Sequence, residues 1–378
     1  MKTLKIICGA VCSLLFAIQI WSMLQWNEAR GVFDDVCYLR QAHLFQRFGL
    51  AGFDTDISRD DDGYLAAKLK EINFPENEQP PCHTPMPASN KLVIQYPPGT
   101  GMVLALFPQG HQAVLLFVSA TTIVFGFVLL GIFGAGSMLS VASAAVFGCL
   151  AIYTMITPGK ASYSMAPTMA VCALAGFLTA KLFAGAQRDG RMRLTLLLGF
   201  LLGLSVSFRL ANLFLSAGYF LFFLVAFLLG RKHIIALRGI AFGVAYLVGL
   251  APTLVANFIN AGSPIATTYG AANTLPPDFS LDIILRYVVD MQFVLLALAG
   301  GSIAWLLANR SDAGIRRVVL ITAINMIVNL AFFLSYPLFS PYYIVPIAML
   351  SLWSLFFAEW MRSPKAVNEH LVGQAANA

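Results

Sequence analysis

From Thr195 to Gly230 the chain runs for 36 residues with a single charge, Arg209. As one α-helix this run would be about 54 Å long at about 1.5 Å per residue. That overshoots a hydrocarbon core of roughly 30 Å. The run is therefore expected to fold as two membrane helices that turn at Arg209-Leu210-Ala211-Asn212, where the charge lies. Eight further segments are as apolar, at 4–24, 111–133, 137–156, 164–184, 239–257, 292–308, 318–335 and 343–361. With 58% apolar and 11% charged residues, against roughly 45–50% and roughly 25% in soluble domains, a set of water-soluble domains is excluded. The expected fold is an all-α polytopic membrane protein of about ten spans.

The distribution of charge sets the expected topology. With the N-terminus inside, the cytoplasmic segments carry 14 of the 24 Lys and Arg residues but only 4 of the 18 acids. Basic residues are retained on the cytoplasmic side during insertion. An even number of spans with both termini inside follows, and the net charge of +6 reflects membrane sidedness rather than a nucleic-acid partner. Lys2 and Lys5 precede the first apolar run, as in a signal peptide. That run continues to Leu24, however, and no small-x-small cleavage site follows, which favours an uncleaved anchor. Residues 1–361 are then one transmembrane domain, and 362–378 a short cytoplasmic tail.

One large polar region, 25–110, lies between the first two spans and holds 11 of the 18 acids. By the charge distribution it is extracytoplasmic. Cys37 and Cys82 both fall within it, in an oxidising compartment that allows them to pair, whereas Cys8, Cys12, Cys149 and Cys172 lie in apolar helices. Asp34-Asp35 stands about ten residues beyond the first span and has two readings, a general base or acids favoured by a helix dipole. The following segment to Phe48 places Tyr38, Ala42 and Phe45 on one face and Arg40, His43 and Arg47 on another. This pattern predicts an interfacial amphipathic helix with its basic side toward phosphates. Asp54, Asp56, Asp60, Asp61 and Asp62 resemble calcium ligands, but Arg59 stands where an EF-hand loop needs Gly. No metal-ligand set stands out, and a divalent cation stays open as a cofactor. Tyr96-Pro97-Pro98-Gly99-Thr100-Gly101 predicts a rigid entry into a membrane-dipping helix. Arg209 and Asn212 lie at membrane depth, where a charge costs roughly 2.5–3.5 kcal/mol. An anionic ligand or snorkelling to the helix end would each account for them.

Taken together these residues resemble the GT-C superfamily of integral-membrane glycosyltransferases, near its protein mannosyltransferase and aminoarabinose transferase branch (glycosyltransferase family 39). Four stretches carry the resemblance in order. They are Asp34-Asp35-x-x-Tyr38 with Ala42 and Gly49; Gln95-Tyr96-Pro97-Pro98-Gly99; Asn257 through Gly262-Ser263-Pro264 to Tyr269-Gly270; and Ser340-Pro341-Tyr342-Tyr343-Ile344-Val345-Pro346. The chain departs from the family at Tyr342, where members usually carry Arg, and in having no second acid near Tyr163-Ser164-Met165.

The resemblance implies a multi-pass protein of a bacterial inner membrane, part of the cell-envelope machinery, with its site on the periplasmic face. It implies a sugar donor on a polyprenyl phosphate and a lipid, glycan or protein acceptor. It places Asp34 as general base, with Asp35 orienting or substituting. Arg209, Arg286 and Lys160 are the cationic candidates for the donor phosphate, with Arg40 and Arg47 guiding an anionic lipid. Tyr38, Tyr96, Asn212, Tyr269, Tyr342 and Tyr343 complete the expected substrate-binding set. The rival readings are a transporter or lipid flippase, which would carry broken helices in two matched halves, and a non-catalytic scaffold of the same fold.

Overall fold

The computed structural model describes residues 1–26, 33–75, 78–156, 162–185, 190–269, 276–290, 292–308, 312–336, 339–340 and 342–361. In chain order its helices are α1 (Lys2–Met23), α2 (Phe33–Phe48), α3 (Tyr64–Glu71), α4 (Gly99–Leu104), α5 (Gln112–Gly134), α6 (Met138–Tyr153) and α7 (Met165–Phe183). There follow α8 (Arg191–Phe208), α9 (Ala217–Gly230), α10 (His233–Ala261), α11 (Leu281–Val289), α12 (Gln292–Ala308), α13 (Ala313–Ser335) and α14 (Val345–Trp360). A two-stranded antiparallel hairpin, β1 (His83–Met86) with β2 (Lys91–Ile94), pairs His83 with Ile94 and Met86 with Lys91.

Seven helical stretches are long and apolar enough to cross a membrane, and the α11–α12 pair, bent by 84°, makes an eighth if it is one span. The chain is thus an all-α multi-pass membrane protein. Each of the ten expected segments falls on a helix, but α6 and α14 are shorter, at 16 residues each. That is about 24 Å, less than a typical hydrocarbon core. α14 is enclosed by protein along almost its whole length. The long apolar run does break at its charge. α8 ends at Phe208, Arg209 is extended (φ −150°, ψ 128°), and a 3-10 turn, Leu210–Ser216, leads into α9.

Lipid offers no hydrophobic drive for helix association, so close backbone approach must supply it. Gly199 and Gly203 on α8 face the carbonyls of Phe242 and Tyr246 on α10, and Gly249 on α10 faces Phe200 O in return. A Cβ at Gly199 would lie 2.5 Å from Phe242 O. Side chains there would therefore force the two helices apart.

The first loop is a folded unit pressed onto the bundle. Cys37 on α2 and Cys82 before β1 form a disulfide, with their Cα atoms 6.6 Å apart. Arg40 corrects the expected interfacial helix, because it is fully buried within the protein. Its guanidinium donates to Thr55 O (2.9 Å) and Asp56 O (2.8 Å) and contacts His83 Nε2 (2.9 Å). Val36, Tyr38, Leu39, Ala42 and Leu44 are buried too, so α2 is a wedge inside the protein rather than a helix lying on lipid. Arg47 pairs with Asp61 and Asp62, and Asp60 accepts the Leu65 N–H at the start of α3. The acid-rich turn is thereby consumed by its own neighbours. Asn260, at the end of α10, anchors this unit by accepting the Thr55 N–H (3.0 Å) and donating to Phe53 O (2.8 Å). Ser89 and Lys91 of the hairpin donate to the carbonyls of Asn260 and Ile259.

Candidate functional site

Seven of the expected residues, Asp34, Tyr38, Tyr96, Arg209, Tyr269, Tyr342 and Tyr343, meet at one end of the bundle. The Tyr96 hydroxyl donates to Asp34 Oδ1 at 2.6 Å. Burial pushes the Asp34 carboxyl above its ordinary range, while that hydrogen bond and the Arg209 charge pull it back. The same enclosure pushes the Tyr96 and Tyr38 phenols up, so both stay protonated at neutral pH. Tyr38 stacks on Tyr96 at 5.0 Å and Tyr269 meets the edge of Tyr96 at 6.1 Å.

Packing around the Tyr-Pro-Pro-Gly stretch explains how Tyr96 reaches this position. Gln41 Nε2 on α2 holds Tyr96 O at 2.9 Å, and Thr268 holds Gln95 O at 2.8 Å. Gly99 lies against the backbone of Ser207, where an added Cβ would come within 2.7 Å of its carbonyl oxygen, and Gly101 lies against Gln41 Cβ. Thr100 donates to Phe208 O. The motif therefore brings α4 against both α2 and the C-terminal end of α8. That contact joins the carboxylate helix to the helix that ends at the arginine.

Arg209 is nearly buried, and its guanidinium lies 5.0 Å from the Tyr342 ring and 5.5 Å from that of Tyr343. Its hydrogen-bond partner is the Met165 sulfur, a weak acceptor. Among the described residues no carboxylate lies within 4.0 Å of it. The site thus holds a guanidinium with spare donors and a tyrosine-bound carboxylate, walled by aromatic rings. Such a site can take an anion at one end and a proton at the other.

Several expected residues have other tasks. Asp35 is buried and accepts the Tyr163 N–H at 3.0 Å, fixing the entry to α7. Tyr96 thus bonds Asp34 and the Tyr163 backbone bonds Asp35, while the charges of both acids act on Tyr342. Asn212 donates to Thr168 Oγ1 (3.0 Å) and Ser205 O (2.8 Å), tying the break after α8 to α7. Arg286 is exposed on α11 and pairs with Asp282 four residues back. Arg40 serves the first loop, as described above. Lys160 lies outside the described residues. Reading the sequence alone missed Asn325 and Asn329, one turn apart on α13. Asn325 accepts the Gly218 N–H and Asn329 donates to Phe214 O (3.0 Å), so they satisfy backbone groups freed by the break beside Arg209. Their signal was two amides in an apolar span, costly unless paired.

Among the described residues the group of three potential metal ligands is Cys37, Cys82 and His83. Both sulfurs are in the disulfide, and the ring nitrogens of His83 contact Arg40 and Pro81 O. This group does not fit a metal. No family model matches the sequence, and no curated protein or solved structure resembles it significantly.

Proposed function

We propose that the protein is a membrane glycosyltransferase that moves a sugar from a polyprenyl-phosphate donor to an extracytoplasmic acceptor. The observation that carries this reading is the meeting of Asp34 and Arg209 behind one wall of tyrosines, built from stretches far apart in the chain. In the proposed reaction the acceptor oxygen or nitrogen attacks the anomeric carbon and its proton passes to Asp34 Oδ2, while Tyr96 holds Oδ1. The anomeric C–O bond breaks, its electron pair leaves on the phosphate, and Arg209 stabilises the developing charge. Burial of Asp34 suits a base, because a carboxylate of raised basicity takes a proton more readily.

Tyr342 stands where the resembling proteins carry Arg, and the Arg209 guanidinium lies over its ring. A cation is thereby present at that place, which favours a working enzyme over a non-catalytic scaffold. The ionisable groups gather at one end of the helix bundle, which disfavours a transporter. In this reading the chain spans the membrane ten times, both termini are cytoplasmic, and Asp34 faces the periplasm. Turnover by the purified protein, given a polyprenyl-phosphate sugar and membrane-extracted acceptors, tests the reading. Absence of transfer and of donor hydrolysis across a panel of sugars would remove it. Cysteine labelling in intact cells tests the orientation, with engineered sites at 77 expected to react from outside and at 188 to be protected.

A further inference from the structure

At the opposite end of the bundle from Asp34, a groove of about 280 Å³ opens to the surface between α5 and α14. It is lined by Gly126, Leu129, Leu130, Phe133, Gly134 and Trp360. The two ends are separated by the length of the spans. Just beyond α1, Trp26 meets Phe117 and Phe117 meets Tyr163, whose N–H bonds Asp35 next to Asp34, whereas the N-terminal Lys5 of α1 reaches Phe133. Glycines make the groove. A Cβ at Gly126 would meet nothing within 4 Å, and Gly134 allows the Trp360 indole to lie against the helix backbone. From Gly126 to Gly134 the floor extends about 12 Å along α5 at about 1.5 Å per residue, enough for a good part of an acyl chain.

Its mouth is cationic. Lys5 Nζ donates to Phe133 O at 2.7 Å and is half-buried, keeping further protons for another acceptor. Lys181 is exposed at the end of α7, with Nζ 5.9 Å from the Phe177 ring, which in turn contacts Trp360. The neighbouring Glu359 is itself engaged. An indole above an apolar trough, with one ammonium on the carbonyl of the lining residue Phe133 and a second across the Phe177 ring, matches a lipid whose headgroup carries negative charge. We propose that this groove is a binding site for one anionic phospholipid, with an acyl chain along Gly126–Gly134 and the phosphate at Lys5 and Lys181. The site is separate from the transferase centre and does not depend on that reading.

The test uses the full chain reconstituted in vesicles of equal phosphatidylglycerol and phosphatidylcholine, extracted in mild detergent, with retained lipid read by native mass spectrometry. Each lysine should contribute about fivefold to the preference, equivalent to about 1 kcal/mol. Phosphatidylglycerol should then be retained over phosphatidylcholine by at least about tenfold. Lys5→Gln with Lys181→Gln should abolish the preference. Gly126→Leu, which has open space for its side chain, should lower retention of both lipids while leaving the melting temperature unchanged. Equal retention of the two lipids by the wild type would overturn the proposal, as would a preference that survives both variants. Dimers that disappear in Gly126→Leu would assign the groove to a second copy of the chain instead.

Discussion

Replacing Asp34 and Asp35 by asparagine, one at a time, should produce opposite defects although the residues are adjacent. In Asp34→Asn the amide oxygen would still accept the Tyr96 hydroxyl, so the hydrogen bond of 2.6 Å changes from charge-assisted to neutral at a cost of about 1 kcal/mol. Relief of the burial that raises the Asp34 carboxyl offsets that loss, and the melting temperature should hardly move. The proposed proton acceptor is gone, however. The transfer rate should fall about 100- to 10,000-fold, or roughly 2.7–5.4 kcal/mol at about 1.36 kcal/mol per decade. In Asp35→Asn an amide N–H₂ enters a buried place where a carboxylate accepted the Tyr163 N–H. Weakening that charge-assisted bond and placing an amide donor among groups arranged around a carboxylate costs about 1–3 kcal/mol, so this variant should melt several degrees lower yet retain its rate to within about tenfold. Both quantities are measured on detergent-purified protein, as initial rate at saturating donor and as thermal midpoint. A variant Asp34→Asn that keeps full rate would refute the assignment of the base. A variant Asp35→Asn that is stable but inactive would place the chemistry on the other acid.

Tyr96→Phe removes a hydrogen bond that pulls the Asp34 carboxyl down. The acid limb of the pH–rate profile, where the base becomes protonated, should therefore move to higher pH, and a limb that stays put or moves lower would contradict it. Arg209→Ala should raise the KM for donor more than it lowers the melting temperature, and Arg209→Lys should recover only part of the affinity because an ammonium lacks the planar fork that lies over Tyr342. Donor binding that is equal in all three proteins would refute the phosphate role. Burial and the Arg40 charge hold His83 at about 4 instead of 6.5. Below pH 6.5 the unfolded chain takes a proton that the folded loop refuses, so stability should fall as pH drops from 6.5 to about 4, by roughly 3 kcal/mol in all. Thermal midpoints across that window should lose most of this slope in His83→Gln.

Much of this architecture was legible because lipid makes polar residues conspicuous. A single charge in a long apolar run marked the break at Arg209, and the acidic pair and the Tyr-Pro-Pro-Gly stretch stood out as two polar stretches that the Tyr96–Asp34 hydrogen bond joins. Sequence could not show what lies opposite a helix face. The basic side of α2 has the pattern of a lipid-facing helix, but Arg40 meets the carbonyls of Thr55 and Asp56 instead, supplied by a loop whose path no periodicity encodes. Likewise nothing local separates Asp34 from Asp35, because the difference is made by the Tyr163 backbone, 128 residues further on. Span length was legible only in outline. Apolar composition located α6 and α14 but did not show that each is only 16 residues long.

The anchoring of the first loop by Asn260 fixes an order of events during synthesis. Thr55 must wait for a partner 205 residues later in the chain. At about 5–20 residues per second the delay is on the order of 10–40 s. Cys37 and Cys82, only 45 residues apart, are both made long before that partner exists. Their cross-link can therefore hold α2 against the hairpin while the loop still lacks the helix end on which it will rest. An insertion defect anywhere up to α10 would leave the carboxylate end of the site complete in sequence but without its support.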